Sequence, residues 1–375
     1  MKVSGSTASI IGAAETAYRR RPPAGTTTQN LLADVAREGV ADAGLGPDDI
    51  DGLAVSSLTL RPDRAIDVAV RLGLRLRWIM DAGTAGASGV DMLQHAIRAV
   101  EAGDALHVLI AAGDAFWPGD FQAVAENYNR ATSAHLSTIP SGGPNGAFAM
   151  VTRRHMRRHG LERADYGRLA ITQRAWAAGN PNAAYRMPLT LDDYLGAEIV
   201  ADPLGVFDCV PVVSGAAAIV VSAAKGGVRP RAVGALHNAD RHEGDGLSTG
   251  LRELAPRLWA DAGAGPGDMD VVSAYDDYPS VVLVQLEDMG FGDPHSTLAA
   301  VASRALPLNT GGGQLSAGQA GAAGGLHGLV EVVQQLRGRG GARQVVGARL
   351  GLVTGYGMVA YRHGACANAA VLEAP

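Results

Sequence analysis

The sequence predicts an α/β fold built from two halves of similar plan, and three observations lead to this prediction. Apolar runs of strand length alternate with amphipathic helical segments over residues 8–112, with short connections between them. The same alternation returns after a break at 225–227, which reads Lys-Gly-Gly. A glycine-dense run at 306–328 leads directly into an amphipathic helix. This order is typical of largely parallel sheets with helices covering their faces.

In the first half, strands are predicted where short apolar runs end in turn residues, and helices where apolar residues recur every three or four positions. The stretch 116–189 breaks this alternation, with helices at about 146–159 and 166–178. We interpret it as an inserted cap, because such insertions often shape a substrate pocket. The remaining strands are predicted at 8–13, 50–57, 78–82, 105–112 and 216–223, and the helices at 28–43, 64–72, 90–102 and 190–201.

The second half repeats this order, which indicates a duplication of pattern without obvious sequence identity. The domain boundary is therefore placed at the linker, giving residues 1–224 and 225–375. Glycines in the run 306–328 expose N–H groups at the start of the last helix, where the positive dipole end suits an anion or a polarised carbonyl. Strands are predicted at 231–236, 269–275, 344–354 and 365–372, and helices at 247–262, 279–290 and from the glycine run to 338.

Composition and charge exclude several classes of protein. The chain has 375 residues, of which 47% are hydrophobic and 18% charged, as expected of a globular protein with an ample core. The net charge of -5 gives no general attraction to nucleic acid. Two cysteines, Cys209 and Cys366, cannot build a disulfide framework. No secretory leader and no apolar run of about 18 residues is recognised, so a cytoplasmic protein without a membrane span is expected.

One local cluster of basic residues stands out within the insertion. It is interpreted as a solvated helix face, with a site for an anionic ligand or partner as the alternative. No set of His, Cys and Asp residues is recognised at metal-ligand spacing, so no metal is expected in this chain. The cluster consists of Arg153, Arg154, His155, Arg157, Arg158 and His159.

Four short motifs, in this order, resemble the thiolase superfamily over nearly the whole chain. Residues 86–89, Gly-Ala-Ser-Gly, are followed by a helix and Gly-Asp at 103–104, and resemble the nucleophile turn Cys-Ala-Ser-Gly. Residues 275–278 resemble the His-Asp-Cys-Phe segment of sterol-carrier-type thiolases. Residues 309–324 resemble the Asn-x-x-Gly-Gly and Gly-His-Pro loops, and 354–357 the final Cys-x-Gly turn. The resemblance implies two βαβαβαββ halves in a five-layered αβαβα arrangement with an inserted loop domain, assembled as a homodimer.

The chain departs from this family at the catalytic positions. The nucleophilic cysteine falls on Gly86, the histidine of Gly-His-Pro on Gln319, and the third-loop His or Asn on Tyr275. The second catalytic cysteine falls near Gly355 or Tyr356. A thiolase needs a thiolate to carry the acyl group and a base to deprotonate the incoming acyl-CoA. Cysteine-dependent thiolase activity is therefore excluded.

Chemistry without a covalent intermediate remains open, and retro-aldol cleavage of a β-hydroxyacyl-CoA requires only a base and donors to an enolate. The chain resembles the steroid side-chain-cleaving aldolases of this superfamily. These lack the cysteine, carry a Tyr-Asp pair in the third loop, and release a ketone and a short acyl-CoA. They work with a small zinc-ribbon and OB-fold partner in a heterotetramer. The resemblance implies catalytic roles for Tyr275, Asp276, Tyr356 and Gln319, with a CoA thioester as substrate and no cofactor in this chain.

Within that implied site, Asp276 is expected to orient or activate Tyr275, although a turn or helix-cap role is common for an Asp after a strand. Gln319 departs from the aldolase branch, in which a Tyr stands nearby, and Tyr356 could substitute for it. Contacts to the substrate are expected from Gly86, Ser88, Asn309, Gly312, Gly318 and Gly355.

Two other functions stay open on the sequence. A non-catalytic acyl-CoA or lipid carrier, or a scaffold, would explain the loss of Cys and His. A condensing enzyme with Ser88 or Thr84 as nucleophile ranks last, because no His is placed to activate either hydroxyl.

Overall fold

The computed structural model describes residues 8–117, 119–120, 143–241, 243–360 and 363–375, and within them two main sheets enclose a layer of helices. The strands are β1 (Ser9–Glu15), β2 (Gly52–Ser56), β3 (Trp78–Asp81), β4 (His107–Asp114), β5 (Ile199–Ala201), β6 (Leu204–Gly205), β7 (Gly215–Ser222), β8 (Arg229–His237), β9 (Val271–Ser273), β10 (Leu350–Ala360) and β11 (His363–Glu373). The helices are α1 (Thr28–Asp42), α2 (Arg64–Leu72), α3 (Ser88–Ala102), α4 (Gly143–His159), α5 (Arg163–Ala177), α6 (Leu191–Leu195), α7 (Leu251–Ala262), α8 (Pro279–Asp288), α9 (Pro294–Ala302), α10 (Gly313–Ala317) and α11 (Gly324–Leu336).

The two main sheets share one topology. The first has the strand order β1-β7-β4-β2-β3 and the second the order β8-β11-β10-β9. In the first sheet, β2 pairs in parallel with β3 and β4, while β7 runs antiparallel to β4 and β1. In the second, β9 and β10 are parallel, while β11 runs antiparallel to β10 and β8. The repeated pairing confirms the duplication predicted from the sequence pattern.

The second sheet carries a single bridge where the first sheet has β3. Leu308 forms an isolated parallel bridge with Val272, held by hydrogen bonds from the Val272 N–H to the Pro307 carbonyl and from the Asn309 N–H to the Val272 carbonyl. A longer strand is not built here, because Pro307 has no N–H to donate and the glycine-rich run follows at once. The second half therefore follows the predicted plan with its third strand reduced to one residue.

Helices α3 and α11 form the layer between the sheets. Each contacts strands of both sheets, and their apolar residues join one hydrophobic cluster that includes Leu93, Ile97, Leu326 and Leu329. Helices α1 and α2 cover the outer face of the first sheet, and α7 and α8 that of the second. Packing against both sheets buries most residues of α3 and α11, including polar ones such as Asp91 and Glu331. The result is the five-layered αβαβα arrangement.

Most predicted elements are confirmed to within a few residues, and three elements differ from the prediction. The helix predicted at 190–201 ends at Leu195, and residues 199–201 form β5 instead. The strand predicted from 344 begins at Leu350, after a short 3-10 turn at Gly341–Arg343. Helix α9 was not predicted, although Asp293 as N-cap and Pro294 at the first helical position are strong start signals.

The insertion between β4 and β7 carries α4, α5, α6 and the small β5-β6 sheet. Of the predicted cap, residues 118 and 121–142 lie outside the described residues. The placement of the domain boundary at 224–225 stays a prediction. In the described part of the chain, no helix combines the length and apolarity that crossing a bilayer would require.

Candidate active site

A cavity of about 450 Å³ opens where the loops of both halves meet the insertion. Three of the four residues predicted to be catalytic line it, namely Tyr275, Gln319 and Tyr356, and so does Gly86. The other lining residues are Leu58, Ala85, Gly143, Pro144, Asn145, Cys209, Val210, Val212, Asp277, Tyr278, Gly321, Ala322, Gly357, Met358 and Val359. Residues far apart in sequence are thus brought to one site.

Tyr275, Asp277 and Gln319 form a hydrogen-bonded group at the cavity wall. Gln319 Nε2 donates to the Tyr275 hydroxyl oxygen at 3.2 Å and to Asp277 Oδ1 at 2.7 Å. The Tyr275 hydroxyl lies near enough to the Asp277 carboxylate to favour its charged form. The backbone of Gln319 is fixed, because its N–H donates to the Pro211 carbonyl and its carbonyl accepts from the Val213 N–H. A carboxylate, a phenol and an amide donor therefore meet in a defined arrangement.

The carboxyl group of Asp277 is tuned for proton transfer near neutral pH. Desolvation and, less strongly, the charge of neighbouring Asp276 raise the pKa of Asp277, hydrogen bonds from Tyr275 and Gln319 lower it, and the net result is a pKa of about 7. A general base works best when its pKa lies near the working pH. Asp277 was not among the residues predicted to be catalytic, and it has the properties that such a base requires.

Asp276 serves the loop architecture instead. Its Oδ1 accepts from the Gln314 N–H at 2.9 Å, and its Oδ2 accepts from the Leu315 N–H at 3.2 Å and from Gln173 Nε2 at 2.9 Å. Burial raises its pKa to about 6. The described lining of the cavity includes Asp277 and not Asp276. The structure therefore places Asp277, rather than Asp276, beside Tyr275. Asp276 instead accepts hydrogen bonds from the first backbone N–H groups of α10.

Tyr356 lines the cavity, and its hydroxyl is engaged with the backbone of the neighbouring strand. Its hydroxyl oxygen accepts from the backbone N–H of Gly364, and its ring meets that of Phe148 edge-on at 6.4 Å. Burial raises the pKa of Tyr356 well above its ordinary value. The phenol therefore keeps its proton at neutral pH and can give a hydrogen bond to a ligand oxygen, whereas it is unsuited to act as a base.

Gly86 leaves space that the ring of Tyr275 fills. A Cβ atom at position 86 would lie 2.1 Å from Tyr275 Cζ and 2.2 Å from the Tyr356 carbonyl oxygen. Real Cβ atoms do not approach other heavy atoms so closely, so no larger residue fits beside Tyr275 as it stands. The position where the family carries its nucleophilic cysteine is thus occupied by the phenol of another loop.

Two helices begin directly beneath the cavity. Residues 85–87 and 321–323 form single 3-10 turns that lead into α3 and α11, and Ala85, Gly86, Gly321 and Ala322 line the cavity. The positive ends of both helix dipoles therefore face the site, which favours negative charge on a bound group.

Two cavity residues other than glycine, Ala85 and Met358, have positive φ values of 51° and 56°. Such backbone is costly for residues with a side chain and is concentrated at functional sites.

Five residues predicted to contact substrate are not found in the described lining of the cavity. Ser88 is fully buried. Asn309 exchanges side-chain hydrogen bonds with the backbone of Ala274. Glycine is required at the other three positions, since a Cβ would lie 2.6 Å from Ala177 at Gly312, 2.6 Å from Val213 at Gly318 and 2.3 Å from Asn368 at Gly355.

One wall of the cavity is apolar, and it contains the side chain of Cys209. Leu58, Val210, Val212 and Met358 provide the aliphatic surface. Cys209 lies in the same wall, where burial raises its pKa to about 12. A raised pKa disfavours the thiolate form that a nucleophilic cysteine requires.

Comparison with known proteins gives a consistent result. A family model described as "Thiolase C-terminal domain-like" matches residues 232–368. The chain is 32% identical to the 17-hydroxy-3-oxo-4-pregnene-20-carboxyl-CoA lyase of Mycobacterium tuberculosis, over 88% of this chain and 92% of the relative. It is 30% identical to a steroid side-chain-cleaving aldolase of Thermomonospora curvata, over 90% of this chain and 92% of the relative. The solved structure of an Ltp2-ChsH2(DUF35) aldolase superposes with a TM-score of 0.82 at 26% identity, covering 99% of this chain and 98% of the other.

Proposed function

The chain belongs to the thiolase superfamily, in the branch of the side-chain-cleaving aldolases, and on that basis we propose that it cleaves a β-hydroxyacyl-CoA by a retro-aldol reaction. The products are a ketone and a shortened acyl-CoA, and a steroid side-chain thioester is the favoured substrate class. The observation that carries the proposal is the Tyr275–Asp277–Gln319 group at the cavity wall, in a site without a nucleophilic cysteine.

The first step removes the proton of the substrate β-hydroxyl. Tyr275 takes this proton while it passes its own to Asp277, whose pKa of about 7 lets the carboxylate accept it. The Cα–Cβ bond then breaks, the β-carbon becomes the ketone carbon, and the electron pair of the bond forms a thioester enolate. Gln319 keeps the phenol and the carboxylate in register by donating to both.

The second step returns the proton to carbon. The proton held by Asp277 passes back through Tyr275 to the α-carbon of the enolate, which gives the shortened acyl-CoA and restores the enzyme. No oxidant, reductant or second substrate is consumed. The negative charge of the enolate oxygen is stabilised by the Tyr356 hydroxyl and by the dipoles of α3 and α11.

The cavity also suits the acyl part of such a substrate. Leu58, Val210, Val212 and Met358 give the aliphatic wall that a fused-ring or branched acyl group prefers. The volume of about 450 Å³ lies within the range of ordinary small-molecule pockets. Cofactor-free chemistry is part of this proposal, since the substrate's own thioester provides the electron sink.

We propose further that the chain works as a homodimer joined to a small DUF35-type partner with a zinc ribbon and an OB-fold, in a heterotetramer located in the cytoplasm. Strand β3 is an edge strand, and Ile79 on it and Ile66 and Val70 on the adjoining α2 are exposed apolar residues. An open sheet edge beside apolar side chains is a favourable surface for pairing with a second copy. The similar solved structure, an Ltp2-ChsH2(DUF35) aldolase, supports a partner of the DUF35 type.

The proposal is tested by kinetics of Tyr275→Phe and Asp277→Asn, with β-hydroxy steroid acyl-CoA thioesters and simpler tertiary β-hydroxyacyl-CoAs as substrates and any co-encoded partner present. Either substitution removes one member of the proton relay. We expect kcat to fall by about 10²–10⁴-fold, the usual contribution of general acid–base catalysis, while the Kd for the CoA thioester stays within a few-fold. In the parent enzyme, kcat/KM should rise through about pH 7 as Asp277 loses its proton.

A carrier function predicts a different outcome. Tight binding of the thioesters by the parent chain with no turnover of any substrate, partner included, would replace the lyase by a carrier or scaffold. Full activity in Asp277→Asn would keep the lyase and remove Asp277 from its mechanism.

A further inference from the structure

A second group of polar side chains lies away from the cavity, where the last turns of α4 and α8 meet. His155 and His159 stand one helical turn apart on α4, and Glu287 faces them from α8. His155 Nε2 lies 3.1 Å from Glu287 Oε2, and His159 Nε2 lies 3.3 Å from Glu287 Oε1. One donor atom from each of the three residues lies within 4.8 Å of the other two.

These separations match the edges of a small coordination polyhedron. Zinc binds imidazole nitrogen at about 2.0–2.1 Å and carboxylate oxygen at about 2.0–2.2 Å, so tetrahedral ligand atoms lie roughly 3.3 Å apart. The two nitrogen-to-oxygen distances, 3.1 and 3.3 Å, are already close to that value. Two histidines four residues apart on one helix face, completed by a carboxylate from another helix, are a common zinc ligand set.

The hydrogen bond on the second ring nitrogen of His155 also favours metal binding. His155 is fully buried, and its Nδ1 is hydrogen-bonded to the Tyr166 hydroxyl at 2.8 Å. When a metal ion takes the Nε2 lone pair, the proton moves to Nδ1, which can then donate to the Tyr166 hydroxyl oxygen and fix the ring orientation. Metal-bound histidines typically have such a partner on their second nitrogen.

Two helix ends and Glu287 place negative charge at this cluster, against the positive charge that Arg158 and protonated His295 bring to His159. The C-terminal ends of α4 and α8 both point to this cluster, and each contributes partial negative charge from its last carbonyl groups. Arg158, the nearest arginine on α4 to His159, is engaged with Asp245. His159 and Glu287 keep about a fifth of their side chains accessible, so an ion can enter from solvent.

We propose that His155, His159 and Glu287 bind a divalent transition-metal ion of the zinc class, with a fourth position open to water or to an exogenous ligand. The ion would join the C-terminal ends of α4 and α8. The same two helices supply cavity residues at their other ends, Asn145 on α4 and Tyr278 before α8, which are joined by a 2.7 Å hydrogen bond. The proposed ion lies about 15 Å along α4 from Asn145, so it is distinct from the acyl-CoA site.

The test is a titration of the intact chain, freed of any affinity tag and dialysed against a chelator, with Co²⁺ as a coloured substitute for Zn²⁺. At about pH 7.5, where free imidazole is mostly neutral, we expect saturation at one Co²⁺ per chain, with the visible absorption of a four- or five-coordinate ion. Zn²⁺ should displace this absorption. His159→Gln and Glu287→Gln should weaken Co²⁺ binding at least about tenfold, because loss of a ligand costs no less than loss of its outer-shell partner.

The control is His237→Gln, which removes an exposed histidine paired with Asp91 at 3.6 Å and leaves the cluster intact. It should titrate as the parent does. Failure of the parent chain to give a saturable Co²⁺ spectrum would overturn the proposal. So would titrations of both ligand variants that match the parent, since the ion would then be held elsewhere.

Discussion

At the scale of single residues, the active site differs from that of a thiolase at one position, where a side chain is absent and a tyrosine ring takes its volume. Where thiolases carry a nucleophilic cysteine, this chain has Gly86, and the ring of Tyr275 stands in the volume that a side chain there would fill. The loss of the cysteine and the presence of the tyrosine are thus two aspects of one change. In the proposed mechanism, a group that carries a proton takes the place of a covalent nucleophile.

This relation gives a direct prediction for Gly86→Ala. The added Cβ must push Tyr275 away, since it would lie 2.1 Å from Cζ. A displacement of about 1 Å at a reacting group can cost on the order of 100-fold in rate, so turnover should fall by at least that factor. Steady-state kinetics on the folded variant, verified by circular dichroism, measures the loss.

Gly83→Ala is the matched control, because a Cβ there meets no heavy atom within 4 Å and the backbone is not left-handed. It should retain the parent's rate to within about twofold. A Gly86→Ala variant as active as Gly83→Ala would show that the position of the Tyr275 ring is not critical.

The two adjacent aspartates show a limit of sequence reasoning at this scale. The Tyr-Asp pair identified the loop, yet the sequence alone favoured Asp276 over Asp277 as the partner of Tyr275. Consecutive side chains leave an extended backbone on opposite sides, so only one of the two can face the cavity. Which one does so is decided by the first turn of α10, whose backbone N–H groups at Gln314 and Leu315 donate to the Asp276 carboxylate.

At the scale of elements, the glycine-rich run is a close-packed support for the site. Gly313 adopts a φ of +57°, and a Cβ there would lie 2.1 Å from Asp276 Oδ2. Gly321 adopts a φ of +55°, and a Cβ there would lie 2.1 Å from Asp114 Oδ2. The same carboxylate accepts a hydrogen bond from the Ala322 N–H at 2.8 Å. Two buried carboxylates therefore hold the run against the core, with glycine required at each contact.

We predict that Gly313→Ala destabilises the fold more than Gly341→Ala. Both glycines have φ near +57°, and left-handed backbone costs alanine about 1 kcal/mol. Only Gly313 also faces a carboxylate, and displacing Asp276 from its donors should cost about 1–3 kcal/mol more. Urea denaturation compares the two free energies of unfolding, and equal losses in the two variants would mean that the Asp276 contact adds nothing.

Much of the element order was predictable, because the apolar runs are regular and glycines mark the helix ends, as at Gly44 and Gly103. The third strand of the second half was not predicted, because a single bridge between Leu308 and Val272 leaves no apolar run of strand length in the sequence. The cluster with Glu287 was likewise hidden. Its two histidines share a helix, whereas the carboxylate comes from a distant helix that only the tertiary fold brings near.

At the scale of the whole molecule, the active site is a product of both halves and the insertion together. Gly86 comes from the first half, Cys209 from the insertion, and Tyr275 from the second half. Neither half alone can form the cavity. The two helices that begin beneath it, α3 and α11, also fill the layer between the sheets, so the site is fixed to a fully buried part of the hydrophobic core.

The most direct test of the central claim is to run the cleavage in D₂O and analyse the shortened acyl-CoA by mass spectrometry. The substrate β-hydroxyl and the relay of Tyr275 and Asp277 exchange their protons with solvent, so retro-aldol cleavage followed by protonation at carbon should place one deuterium at the α-carbon, with a ketone as the second product. Release of free CoA and a carboxylic acid from an intact carbon skeleton would show thioester hydrolysis instead, and would contradict the function proposed for this chain.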